Sequence, residues 1–138
     1  MAEENYSVLN PNQFAINEAW IAFKLNDAPI RTGEDGDFNV IALMDAGSCF
    51  ILGSEFVSAG SAEPSQLESK RLLKTGQSHK DELPKKLIIP TDQNAELLTK
   101  EAERLGIVVT RIPESELTVY LDEAREGFQE HVSGGRAH

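Results

Sequence analysis

A single cysteine, Cys49, stands in a chain of 138 residues. It can form no internal disulfide, and no thiolate-rich metal site can be built around it; its apolar surroundings predict a small residue buried in a strand. Histidine is almost as sparse. His79, His131 and His138 show none of the H-x-x-x-H or H-x-H spacings that bring two imidazoles to one ion, so no zinc is expected. No apolar run approaches the roughly 18 to 20 residues of a membrane-crossing helix, and the acidic opening MAEENYS lacks the basic segment of a signal peptide. These absences lead us to expect no membrane partner and a cytoplasmic location. There is no G-x-G-x-x-G, no P-loop and no G-x-S-x-G, and Gly33 and Gly36 flank two acids that would repel phosphate. Basic residues are few: 13 Lys and Arg against 23 Asp and Glu give a net charge of -10, a balance that repels polyanions. Nucleic acid is therefore not an expected partner. The local cluster Lys70, Arg71, Lys74, Lys80, Lys85 and Lys86 reads as a solvated face.

What the chain does have is the composition of a globular domain, 40% hydrophobic and 26% charged, over a length suited to one core. Residues 1–18 read as a loose polar arm with Val8, Leu9 and Phe14 able to rest on the body, residues 19–132 as a single α/β domain, and residues 133–138 as a frayed tail. Ile21, Phe23 and Leu25 alternate with Trp20, Ala22 and Lys24, the period of a strand. The loop NDAPIRTGEDGD follows. Phe38 to Met44 and Cys49 to Val57 are apolar nearly throughout, separated by Asp45-Ala46-Gly47-Ser48. This predicts a hairpin in which Gly47 takes a positive φ and both strands lie inside the sheet. Ser65 and Glu68 have capping-box spacing for a helix ending at Gly76, and LIIP is a brief strand. Thr91 or Asp92 then caps a helix running to Gly106, with Ala95, Leu98, Ala102 and Leu105 on its buried face. Ile107 to Ile112 is a β-branched strand. Ser115 opens a last helix in which Leu117, Leu121, Ala124, Phe128 and Val132 form one stripe.

An antiparallel meander followed by strands alternating with helices resembles the ribonuclease H-like fold shared by ribonucleases H, retroviral integrases and many transposases. The resemblance spans Ala19 to Val132. Within it, MDAGSC at Met44 to Cys49 is similar to the Asp-Gly-Ser-Cys opening of ribonucleases H, with Ala46 interrupting. IIPTDQN at Ile88 to Asn94 is similar to the strand-end Thr-Asp of those enzymes and the Ser-Asp-Asn of integrases. The V-x-x-L-x-x-x-G of Val40 to Gly47, together with PKKLIIPTDQNAELLTKEAERLGIVVTRIP, is similar to uncharacterised prokaryotic domains. The resemblance implies a five-stranded mixed sheet and, in an active member, carboxylates converging on two Mg²⁺ ions about 4 Å apart. The candidate catalytic residues are then Asp45, Glu68 and Asp92, with Asp45 and Asp92 as metal ligands and Glu116, Asp122 or Glu123 as a last-helix acid. Active members carry their first acid inside the first strand, and AWIAFKL has none.

The reading that follows is a degenerate, non-catalytic ribonuclease H-like module that binds a protein partner, needing no cofactor. Two other readings stay open: an Mg²⁺-dependent nuclease or transposase relative, and a small-molecule-binding regulatory domain. In the preferred reading Asp45 is a turn residue whose replacement by Asn is nearly neutral, and Asp92 caps its helix.

Overall fold

A computed structural model of the chain describes residues 8–26, 29–31 and 36–136, the side chains of 131–136 apart. The strands are β1 (Ala19–Lys24), β2 (Ile30–Arg31), β3 (Asp37–Asp45), β4 (Ile51–Ser58), β5 (Lys86–Pro90) and β6 (Val108–Ile112). The helices are α1 (Gln66–Lys80), α2 (Glu96–Arg104) and α3 (Thr118–Arg136). The apolar run of β3 is buried on both faces because it has neighbours on both edges: β1 pairs antiparallel with residues 41–45, and β4 antiparallel with residues 38–44. β2 meets Asp37 and Phe38, and since β4 holds the other edge there, it continues the column of β1. β5 runs parallel to β1, and β6 parallel to β5. The mixed sheet is thus ordered β4-β3-β1-β5-β6, with the two-residue β2 as an addition the sequence did not announce.

Alternation along β1 divides the core. Trp20 and Ala22 join Leu43, Leu87 and Ile89 under Leu72 and Leu73 of α1 and Leu98 and Ala102 of α2. Ile21 and Phe23 point the other way, with Ala42, Met44 and Ile88, against Leu117, Tyr120 and Leu121 on and just before α3. Each such fully buried aliphatic or aromatic side chain contributes about 1.5–3 kcal/mol relative to exposure. Two helices therefore cover one face and one helix the other.

Several local expectations are corrected. β4 does not lie inside the sheet. It is an edge strand, buried mainly at Leu52 and Val57, with Phe56 62% exposed. Cys49 is not in a strand: it sits half-buried in the turn and itself adopts the left-handed conformation, φ 66°. Gly47 is required for close approach instead, since a Cβ there would fall 2.6 Å from the carbonyl oxygen of Ala15. Gly76 does not end α1, which runs on to a left-handed cap at Asp81. It is where the helix presses on the sheet, a Cβ being 2.7 Å from Leu43 Cδ2 and 2.8 Å from the Trp20 ring. α2 begins later than expected, with Ala95 at its N-cap position, and Leu105 lies beyond its end, 44% exposed. The last helix starts at Thr118 after a 3-10 turn at Glu114–Glu116, Phe128 is only half-buried, and the helical backbone continues through residues 133–136.

Residues 8–18 are not loose. Asn10 and Gln13 form a capping box around a 3-10 turn at Pro11–Gln13, the Leu9 N–H donates to the Glu116 carbonyl, and Leu9 and Phe14 pack on the α3-side core. The expectations for residues 1–7, 27–28, 32–35 and 137–138, and for the side chains of His131 and Val132, fall outside the described residues.

Candidate functional site

Asp45 is the last residue of β3, opposite Trp20, and is fully buried. Its Oδ1 accepts the Asn17 N–H at 2.7 Å, and its Oδ2 accepts the Ser48 N–H at 3.1 Å and the Ser48 hydroxyl at 2.7 Å. Three of roughly four acceptor positions are thereby taken by local donors. Asn17, held at φ 67°, passes the connection on: its Oδ1 accepts the Trp20 indole N–H at 2.7 Å and its Nδ2 donates to Glu82 at 3.1 Å. The turn is closed by the Cys49 N–H on the Asp45 carbonyl at 2.7 Å and by the Tyr120 hydroxyl on the Ala46 carbonyl at 2.9 Å. Asp45 is therefore more than a solvated turn residue: its carboxylate joins the 15–18 segment, the turn and the sheet.

Beside this turn lies a recess of about 180 Å³, lined by Met44, Cys49, Ile51, Tyr120, Glu123 and Ala124. Burial pushes the Tyr120 phenol up from its ordinary value, with the neighbouring Cys49 and Asp45 adding to the effect. Burial likewise raises the Cys49 thiol, helped by the charges of Glu123 and Asp45, which disfavours the thiolate that would react. Phe50, 51% exposed, faces the other side of the sheet and stacks on His79 of α1 at 4.9 Å.

The opposite end of the sheet carries Asp92 and a cleft of about 330 Å³, whose lining includes Lys24, Asn39, Asp92, Gln93, Asn94 and Glu114. Arg125 organises it from α3, donating to the Lys24 carbonyl at 3.0 Å and gripping Glu114 with both Nη atoms, at 3.1 and 2.9 Å. That grip holds the Glu114 carboxyl below its ordinary value despite partial burial. Arg111 secures the loop after β5 through the carbonyls of Pro90 and Gln93. The Gln93 Oε1 accepts the Lys24 N–H at 2.9 Å, which fixes the amide's orientation and leaves its buried Nε2 without a hydrogen-bond partner.

The predicted acids are not brought together. Trp20 is level with both Asp45 and Leu87, and β5 then runs three residues further to Pro90, about 10 Å, while β3 and β5 stand two strand spacings, about 10 Å, apart. Asp45 and the end of β5 are thus on the order of 14 Å apart before the turn that carries Asp92, against about 4 Å between the ions of a two-metal site. Glu68 lies in the first turn of α1, its carboxylate accepting the Ser65 N–H at 2.8 Å in the capping box. Asp92 does not cap α2. It is exposed in the turn, and the Leu97 N–H in the first turn of α2 is instead met at 2.8 Å by Glu63, from the loop before α1. Glu116 lies in the 3-10 turn, and Asp122 and Glu123 are exposed on α3. Among the described residues no group of three or more His, Cys, Asp or Glu is placed to hold a metal ion, and no helix is long and apolar enough to cross a membrane.

The residues that organise both ends, Asn17, Glu63, Gln93, Arg111 and Arg125, were not singled out from sequence. Each acts on a partner distant in the chain or on a backbone group, and neither leaves a spacing to recognise.

No family model and no curated protein matches the chain. Among solved structures, a cryoEM structure of a simian T-cell lymphotropic virus intasome in complex with PP2A regulatory subunit B56 gamma is similar at 11% identity and a TM-score of 0.48, over 75% of this chain. The match spans 35% of that structure's chain, and likeness at this level carries no argument about function.

Proposed function

We propose that the chain is a non-catalytic ribonuclease H-like module whose role is to bind a protein partner. The observation that carries this reading is the separation of Asp45 from Asp92 at opposite ends of the sheet, with Asp45 committed to Asn17 and Ser48. The end of β1 nearest Asp92 offers Ala22, Phe23 and Lys24, two apolar residues and a cation where two Mg²⁺ ions would demand carboxylates. The partner surface that fits best is the recess beside the Asp45 turn, where Ile51 is exposed next to an apolar hollow sized for one side chain and bordered by Glu123. With a net charge of -10, the complementary segment presents an apolar anchor next to a basic residue.

Two measurements test this. Purified chain incubated with Mg²⁺ or Mn²⁺ and DNA, RNA or a hybrid is expected to leave all three intact, and metal-dependent cleavage abolished by Asp92→Asn would overturn the non-catalytic reading. A photo-crosslinker at Glu123 is expected to capture one protein from cell extract, with capture lost in Ile51→Asp. Capture indifferent to that substitution would remove the recess as the partner surface.

A second reading, a small-molecule regulator, is favoured by one observation: Gln93, with its unpartnered Nε2, lines the cleft at the other end. A ligand carbonyl or carboxylate would satisfy that donor, and a ligand-dependent shift of the Gln93 side-chain amide resonance would support it.

A further inference from the structure

β4 is an open edge. Among the described residues it pairs only with β3, and it is eight residues long. The Ala59 N–H bonds the Asp37 carbonyl at 2.8 Å, which sets the phase of the ladder: Val57 and Glu55 turn their backbone groups toward β3, and Ser54, Phe56 and Ser58 turn theirs outward. All three outward residues are exposed, Phe56 at 62%. Such edges are normally blunted by charge, proline or brevity. The other edge, β6, is five residues long and carries Arg111. β4 has one charge, Glu55, and it is spent on Arg71 of α1, which packs over this strand.

We infer that β4 pairs antiparallel with β4 of a second copy, extending the sheet across a two-fold axis at Glu55. The charges along this edge favour a copy over a foreign strand because they become complementary under that symmetry. Glu55 lies beside Arg71, and Gly53 beside Thr75, so α1 runs antiparallel to β4 along the edge. A two-fold at Glu55 therefore falls near Arg71 on the helix. It sets the two Glu55–Arg71 pairs head to tail, each Arg next to the other's Glu. On the opposite face Phe56 lies against Ser54 of the copy. The overall negative charge opposes association only weakly, since repulsion beyond about 8 Å is screened at physiological salt.

Light scattering and sedimentation of the full chain from micromolar to millimolar concentration test this. A reversible dimer is expected. Three substitutions are each expected to weaken it roughly tenfold or more: Phe56→Lys, at an exposed side chain; Arg71→Glu, at a cation that is 53% exposed beside Glu55; and Ser54→Pro, which removes an outward N–H while leaving the β3 ladder its bonds. Hydrogen exchange at the Ser54 and Phe56 amides is expected to slow as concentration rises. A monomer throughout the range, or a dimer indifferent to Phe56→Lys and Arg71→Glu, would overturn the inference. Either result would leave the recess reading untouched, because that rests on Ile51 and Glu123.

Discussion

The Asp45 carboxylate shows how a short polar side chain can hold together segments that share no sequence signal. It receives two N–H groups and a hydroxyl while fully buried. Asn in its place keeps the shape but turns an NH₂ toward one set of donors. The near-neutrality expected of a solvated turn residue is thus replaced by a cost of about 1.5–3 kcal/mol, the worth of hydrogen bonds to a buried charged acceptor. Urea unfolding of Asp45→Asn measures it, and a loss below about 0.5 kcal/mol would return Asp45 to ordinary turn chemistry. The Asp45-Ala46-Gly47-Ser48 turn was legible from its residue types. The second partner of the carboxylate, Asn17, lies 28 positions away and was not.

At the scale of the element, α1 and α2 begin in different ways. Ser65 and Glu68 cap α1 from within, so the sequence spacing alone located its start. α2 has Ala95 at the N-cap and borrows the Glu63 carboxylate, so the nearby Asp92 misled by being a good capping residue in a position the chain uses as a turn. Glu63→Ala is accordingly expected to cost about 0.5–2 kcal/mol, the range of a lost cap, and Asp92→Ala to remain within about 0.5 kcal/mol of the parent. Denaturation midpoints of the two variants side by side decide it, and the reverse ranking would show that Asp92 is the cap after all. A similar displacement affects Gly76. Glycine late in a helical pattern reads as a stop, but here the absent Cβ lets the helix lie against Trp20 and Leu43.

For the whole molecule, charge is unevenly used. Among the described residues most of the acids are exposed, while Glu114 and Glu101 are held below the ordinary glutamate value, Glu114 by Arg125 and Glu101 by Arg104 and then Gln66. A depressed carboxyl contributes stability that is present in full above its unfolded value, about 4.3, and is lost as pH falls through the lower folded value. Stability is therefore expected to decline as pH drops from about 5 toward 3. The gap between the parent chain and Glu114→Gln should be widest near neutrality and close over that interval. Urea midpoints at stepped pH test this, and a gap independent of pH would show that the Arg125 contact contributes through packing alone.

The sequence by itself determined the element types and most of their order, because strand and helix periodicities are local: the alternation of Ile21 and Phe23 with Trp20 and Ala22, the apolar run of β3, the capping box of α1 and the stripe of α2 each follow from residues within a few positions. What only the tertiary structure decided is which apolar strand has two neighbours and which has one. β3 and β4 look alike in composition, yet β3 is central and β4 an edge, since pairing is a property of the whole sheet. The same holds for the acids. Asp45 and Asp92 both follow apolar strand-like runs, but β3 runs antiparallel and β5 parallel to β1, so the two strand ends point to opposite edges of the sheet. Strand direction is set by how the chain crosses the sheet, which no short-range pattern records.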